Sequence, residues 1–476
     1  MDFTIILQSN HDPHNIKIMR ALAWVIIVTL FHSTLSLAQR PGNPIIPDLI
    51  ADPSIVEIND TFYCYATTDG YNQGLASSGP PVVWISPDFV HWSFKGTFFP
   101  AAVGQLYWAP STVTQVNGKY YLYPTINTNI QAAVANSPAG PFHVLKGGDT
   151  FTGSDAPQPL VTLKGPKGTK GIDAEVFIDE DGKTYMVWAQ RGAARLHNDM
   201  VTLDTTVVIP TKRGGYSEGP FLFKRKGIYY YLYTLSGHEN YQYAYIYSKV
   251  SPLGPFEFPD KDIIATTDHA KGIYGPGHGS VFNVKGTDNY YFAYLEFGRG
   301  STNRQVWVDK LTFNEDGTIN PVVLTHEGVG ALRHIKHPQP LAIKNAIASS
   351  TLPDLKIKPI KDSTLNRTET YQPQNAIDQS NGTRWLAATT DSLATFIIDL
   401  GTAQKVKKLE AYFVKPTAGH AYTLEYSTNA KTWKQCGGHA DVRIQSPHID
   451  NFSVTARYLR ISFLKGMAGL WEVTIY

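Results

Sequence analysis

Only two cysteines, Cys64 and Cys436, occur in the 476 residues, and they lie far apart. A disulfide scaffold is excluded, and two buried free thiols are expected. Net charge is only +2 and no basic stripe exists, so a nucleic-acid partner is not expected. Long apolar runs are missing apart from ALAWVIIVTLF (Ala21 to Phe31), which is short for a membrane-spanning helix, so no stable membrane insertion is expected. Long amphipathic helical patterns are missing between residues 44 and 340. So are the GxSxG elbow, the HExxH and CxxC zinc motifs, the phosphate-binding GxxxxGK[ST] loop and a strand–GxGxxG–helix unit. Serine-esterase, zinc-hydrolase and nucleotide-dependent chemistries lose their usual sequence support.

Turn formers and aromatics are abundant: 39 Gly, 30 Pro, 27 Tyr, 22 Phe and 9 Trp. Aromatics suit strands and also the stacking of sugar rings. One pattern recurs, an Asn, Asp or Gly turn feeding an aromatic run: INDTFYCYATTD, VNGKYYLYPTIN, DEDGKTYMVWAQ, KRKGIYYYLYTLSG and VKGTDNYYFAYLE. Each reads as a β-hairpin. Their tyrosines recur at about 45 to 64 residues, the size of propeller blades. A second repeat, SPxGPF, occurs in ANSPAGPFHV and SKVSPLGPFEF, with WISPDFVHWSF as a variant; it fits outer blade strands joined at a Gly-Pro turn. The expected fold is all-β: a five-bladed β-propeller over residues 39–340, with a sandwich or several small β domains as the alternative. Residues 341–362 lack aromatics and read as a linker, and residues 363–476 show the short alternating runs of a β-sandwich.

The N-terminus reads as an export signal within residues 1–38. Arg20 precedes the apolar run, and Ser36 and Ala38 give a small-x-small pattern for cleavage before Gln39. Met19 is the expected start, with Met1 as the other option. A periplasmic or extracellular location follows; an uncleaved anchor is the alternative, and no cysteine after the cleavage site offers a lipid anchor.

Three carboxylates stand at equivalent places in the repeats. Asp52 in ADPSIV precedes the first aromatic hairpin, Asp173 in GIDAEVF the third, and Glu218 in YSEGPF the fourth. Asp173 and Glu175 are two apart and are expected to share a strand face. A single Asp-Pro is usually a surface turn. Three acids heading different blades instead converge on the propeller axis, and hydrolysis of a glycosidic bond needs a protonated acid and an ionised base on opposite sides of the bond.

The ordered set NPIIPDLIADPSI, YWAPSTV, GIDAEVFIDEDGKTYMVWA, SEGPFLFKRKGIYYYLYT and GPGHGSVF resembles glycoside hydrolase family 43 over about residues 41 to 330. The resemblance implies Asp52 as general base, Glu218 as general acid and Asp173 as the residue that tunes and orients the acid, in an inverting enzyme. It also implies Trp108 and Arg304 (Arg299 being a competitor) as sugar contacts, and His278 at the axis as a substrate contact or metal ligand. Ser111 departs from the family's usual WAPD. NAIDQSNGTRWLAA, TFIIDLG, YTLEYSTNAKTW, ARYLRISF and LWEVTIY resemble a factor V/VIII type C, or discoidin-like, domain. That implies a jelly-roll sandwich, either binding sugar or packing structurally on the propeller, with Trp385 and Trp471 in its core. No cofactor is required for the chemistry; calcium is the ion to expect, near the propeller axis or in the C-terminal domain. The expected substrate is an arabinose- or xylose-bearing glycan, cut by an α-L-arabinofuranosidase or β-D-xylosidase. Galactofuranosidase, galactanase or endo-arabinanase activity is the alternative within the family, and a non-catalytic carbohydrate-binding propeller the alternative outside it.

Overall fold

Turn chemistry sets the blades. In the computed structural model, which describes residues 42–68, 81–99, 105–148, 156–297, 304–357 and 367–476, strands dominate the regular structure. Asn59 and Asp60 take φ of 48° and 62°, the left-handed pair that lets two right-twisted strands fold back on each other. Asn117-Gly118 (50° and 75°) and Lys226-Gly227 (49° and 80°) repeat this device. The expected export signal lies outside the described residues, and among those residues no helix is long and apolar enough to cross a membrane.

Five antiparallel sheets follow one another as the blades of a propeller. Blade 1 runs through Ile50–Ile58, Thr61–Thr68, Val82–Ser86 and Ser93–Thr97. Blade 2 uses Thr114–Val116, Lys119–Leu122, Ala133–Ala135 and His143–Val144; blade 3 uses Glu175–Ile178, Thr184–Trp188, Gly192–Leu196 and Val207–Val208. Blade 4 uses Phe221–Arg225, Ile228–Leu235, Gln242–Ser248 and Ile263–Thr266, and blade 5 only Gly277–Asn283, Tyr290–Glu296 and Gln305–Leu311. The SPxGPF repeats join the third to the outermost strand in blades 2 and 4. Aromatic side chains fill the space between blades: Tyr243 of blade 4 meets Phe292 of blade 5 with ring centroids 5.0 Å apart.

The first described residues complete blade 5. Asn43 Oδ1 accepts the Val308 N–H at 2.7 Å, Asn43 Nδ2 donates to Val308 O at 3.1 Å, and Ile45 N donates to Val306 O at 3.0 Å. The start of the propeller thus lies along the last strand, and an open sheet edge is covered.

The C-terminal sandwich is one seven-stranded sheet folded on itself. ATFIIDLG and VKKLEAYFV, separate runs in the sequence, merge into the single strand Thr395–Phe413, which shifts register as it bends. Trp385 and Trp471 are buried, as expected.

Within residues 341–362, read as a linker, the first part is corrected to residues 341–348 of the sandwich. Asn345–Ala348 pairs with Thr395–Phe413, and Leu341 N donates to Ile475 O at 2.7 Å. The strand escaped notice because it buries little: Ala346 is buried while Ile347 is exposed, so no apolar alternation marks it. Propeller and sandwich also share a core, in which Trp84, Trp92 and Phe94 of blade 1 join Tyr412, Val414 and Trp471. Phe94 N donates to Ser446 O at 2.7 Å and Tyr412 OH to Trp92 O at 3.0 Å. Both cysteines are free thiols; Cys64 is buried, whereas Cys436 is only half-buried on an outer strand of the sandwich.

Candidate active site

The five blades share one backbone feature. Near the start of each innermost strand stands a left-handed residue: Asp52 (φ 52°), Ala109 (40°), Asp173 (59°), Gly219 (52°) and His278 (29°). In blades 1 and 5 the register shifts at this place, between Ala51 and Ser54 and between Gly277 and Ser280. Such a bulge re-aims a side chain, here Asp52 and His278. Left-handed non-glycine residues cost about 1–3 kcal/mol each, so surrounding contacts must hold them.

Those contacts bring the three acids together. Asp52 Oδ1 lies 3.3 Å from Arg304 Nη1 and 3.4 Å from His278 Nδ1, and the same His278 nitrogen lies 3.8 Å from Asp173 Oδ2. Asp173 Oδ2 accepts the Gly219 N–H at 3.2 Å, which ties it to the residue after Glu218. Gly219 is required on two counts: its φ is positive, and a Cβ there would meet the His278 ring at 2.8 Å. Asp52 and Asp173 are buried, while Glu218 is partly open.

Each acid is braced by a threonine. Thr67 donates to Asp52 Oδ2 at 2.7 Å while accepting the Ala109 N–H at 2.8 Å. Thr125 Oγ1 accepts the Asp173 N–H at 2.9 Å, and Thr234 Oγ1 accepts the Glu218 N–H at 3.0 Å. Both oxygens of Glu218 receive tyrosine hydroxyls, Oε1 from Tyr241 and Oε2 from Tyr216. The Tyr241 ring lies over Gly277, where a Cβ would come within 2.5 Å of it. Sequence reading missed these threonines and tyrosines, which resemble ordinary strand residues.

Asp173 and Glu175 do not share a face, contrary to expectation. The left-handed Asp173 interrupts the alternation that equal spacing assumes. Asp173 therefore reaches blade 4, and Glu175 Oε2 accepts the Thr112 N–H at 2.9 Å on the side of blade 2. Glu175 is buried, and burial pushes its carboxyl up to about 8.

The environments drive the acids apart. Burial alone would raise Asp52, but Arg304, His278 and the Thr67 hydroxyl outweigh it and hold the carboxyl below its ordinary value. Asp173 is pushed up to about 7, first by burial and then by the charge of Asp52. Glu218 is raised by burial and by Asp173, against the two tyrosine hydroxyls. One carboxyl is thus biased toward its ionised form and another toward its protonated form within one site, the division of labour that acid–base catalysis requires.

Arg304 is buried at this centre, and Arg299 lies outside the described residues. Trp108 is half-buried and pairs with Thr125, the residue that braces Asp173. Ser111 is buried and accepts the Tyr123 N–H at 2.9 Å, a packing role. In the sandwich, Asp378 accepts Thr383 Oγ1–H at 2.7 Å and the Ser380 N–H at 2.9 Å, and Glu472 accepts the Gln379 N–H at 3.0 Å, which fixes the turn before Trp385. A cavity of about 470 Å³ between blade 5 and the sandwich, lined by Trp307, Glu296, Tyr371 and Arg384 among others, contains none of the three acids.

The family model for glycosyl hydrolases family 43 matches residues 41–319, and that for the F5/8 type C domain matches residues 359–474. The beta-D-galactofuranosidase xynD of Aspergillus niger is 28% identical over 349 residues, covering 67% of this chain and 98% of its own. The arabinoxylan arabinofuranohydrolase of Bacillus subtilis is 26% identical over 370 residues, covering 64% of this chain and 68% of its own. A solved structure described as a glycoside hydrolase is 56% identical, with a TM-score of 0.88, and the match covers 92% of this chain and 100% of that one. The match over the propeller takes in more than half of the sequence, and the chain belongs to glycosyl hydrolases family 43, with an F5/8 type C domain as its sandwich.

Proposed function

We propose that this glycoside hydrolase is exported and removes terminal α-L-arabinofuranosyl units, with β-D-xylosyl units as the related substrate, by an inverting mechanism. The observation that carries the mechanism is the opposite setting of Asp52 and Glu218. Asp52, held ionised by Arg304, His278 and Thr67, takes a proton from the attacking water. Glu218, whose proton affinity is raised by burial and by Asp173, delivers its proton to the leaving oxygen. The carboxylate left on Glu218 is then stabilised by the Tyr216 and Tyr241 hydroxyls. Asp173 raises the proton affinity of Glu218 and fixes the peptide after it. Inversion places the two working carboxyls roughly 6.5–9.5 Å apart, with the water between.

The arabinofuranosidase reading is supported by the Bacillus subtilis relative. A second reading, release of terminal β-D-galactofuranosyl units, is favoured by the Aspergillus niger relative, matched over nearly its whole length. The two sugars share their ring configuration and differ by an exocyclic carbon, so one pocket edge decides between them.

Hydrolysis of aryl α-L-arabinofuranoside, β-D-xylopyranoside and β-D-galactofuranoside tests the proposal. The highest kcat/KM is expected on the arabinofuranoside. Preference for the galactofuranoside establishes the second reading. Glycan binding without hydrolysis of any aryl or natural substrate overturns both in favour of a binding propeller.

A further inference from the structure

We propose that Asp88, His91 and His337 form a binding site for a divalent transition-metal ion of the zinc class, apart from the catalytic acids. Asp88 stands in the turn between the third and fourth strands of blade 1. Its Oδ1 is used by the turn itself, accepting the Val90 and His91 N–H groups, each at 2.9 Å. Its Oδ2 faces outward to two imidazoles: His91 Nδ1 at 2.7 Å and His337 Nε2 at 2.8 Å. The two rings stack with centroids 3.8 Å apart, and the three donor atoms lie within 4.8 Å of one another.

His337 comes from the far end of the propeller. The chain leaving blade 5 crosses back over blade 1 and is tied there without help from the histidines. Leu332 N donates to Asp88 O at 3.0 Å, and Arg333 Nη2 lies 2.5 Å from Glu57 Oε1 and 3.1 Å from Asp60 Oδ1. The backbones that carry the three donors are therefore set in advance, so little ordering remains for an ion to impose.

The donor chemistry selects the ion. Two imidazoles and one carboxylate suit zinc, nickel or copper, whereas calcium and magnesium prefer oxygen alone. Ligand bonds of about 2.0–2.2 Å to a shared ion require the donors to spread by a few tenths of an ångström from their hydrogen-bonded positions. No proton need leave the protein when both rings are neutral. Each moves its N–H to its other ring nitrogen and presents the lone pair to the ion. Asp88 is buried, with 3% of its side chain accessible, while the His91 and His337 side chains keep 28% and 33%. One side of the triad thus meets solvent, where water supplies the fourth ligand. The site would pin the strap after blade 5 to blade 1. It stands one residue from Trp92, whose carbonyl receives the Tyr412 hydroxyl of the sandwich.

The test uses the full chain, purified without a polyhistidine tag and stripped by a chelator, then titrated with Co2+ and afterwards with Zn2+. One equivalent of Co2+ is expected to give the visible bands of a four-coordinate site, Zn2+ to abolish them, and Zn2+ to raise Tm. His337→Ala and His91→Asn are each expected to lose the bands and the Tm shift while keeping wild-type aryl-glycoside hydrolysis, which reports that they fold. If His337→Ala does not fold, His91→Asn decides alone. Absence of the bands in the wild type, or their persistence in a folded variant, overturns the proposal and leaves the triad as a hydrogen-bonded clamp.

Discussion

The Thr67 hydroxyl donates to Asp52 Oδ2 at 2.7 Å because the Ala109 N–H already occupies its acceptor side at 2.8 Å. Its proton therefore has one destination, the carboxylate proposed as base. Thr67→Val keeps the shape and removes the donor. A hydrogen bond to a charged group is worth about 1.5–3 kcal/mol, so kcat/KM is expected to fall by about 10- to 100-fold at acidic pH. Loss of the donor raises the Asp52 pKa, and a base is active only when ionised. The acidic limb of the pH–kcat/KM profile therefore moves to higher pH. A profile that overlays the wild type would remove Thr67 from the account.

Tyr241→Phe acts on the other carboxyl. The ring still fits over Gly277, but Glu218 loses a donor that stabilises its ionised form. Its pKa rises further, so the basic limb moves to higher pH. At the same time kcat falls by about tenfold or more, because the carboxylate left after proton transfer is less stable. Unchanged kcat together with an unchanged basic limb would count against the contact.

Asp173→Asn pushes in the opposite direction. Above about pH 7, where Asp173 is itself ionised, its charge raises the pKa of Glu218, and the amide carries none. The basic limb is expected to move to lower pH as Glu218 gives up its proton sooner. A shift upward, or none in a folded variant, would contradict the tuning role.

The sandwich carries its own pH dependence. His420 and His448 are buried, and burial holds their folded pKa values down to about 4 and about 3, against an ordinary 6.5. Above pH 6.5 both states are neutral and nothing is lost. As pH falls below 6.5 the unfolded chain takes up protons that the folded chain refuses, so stability declines until about pH 4 for His420 and about pH 3 for His448. Scanning calorimetry should show Tm falling over this window, with a shallower fall in His420→Phe. Equal slopes would assign the acid sensitivity to other groups.

Local features of the fold were legible in the sequence. INDTFY, VNGKYY and KRKGIYY announced their hairpins because Asn-Asp, Asn-Gly and Lys-Gly supply the left-handed turn pairs seen at Asn59-Asp60, Asn117-Gly118 and Lys226-Gly227. The positions of Asp52, Asp173 and Glu218 at the starts of their blades were legible for the same reason, since each precedes a recognisable hairpin. Contacts between blades and across strands were not. Thr67 looks like an ordinary strand residue, and only the packing of blade 1 on blade 2 places it against Ala109, while Tyr241 meets Glu218 within blade 4, across the intervening strand Ile228–Leu235, with nothing in its sequence context to mark the contact. The pairing of Asn43 with Val308 and of Asn345–Ala348 with the sandwich also joins distant segments, and neither segment carries an apolar alternation of its own.

The most direct test of the central claim, that Glu218 protonates the leaving oxygen, is the leaving-group dependence of Glu218→Gln. Activated aryl glycosides need little protonation, whereas a natural glycan with its poorly departing sugar alkoxide needs much. The variant is expected to lose most of its activity on the glycan, and far less on an aryl glycoside whose phenol leaves readily. Equal loss on both substrates, or activity like the wild type on the glycan, would contradict the assignment.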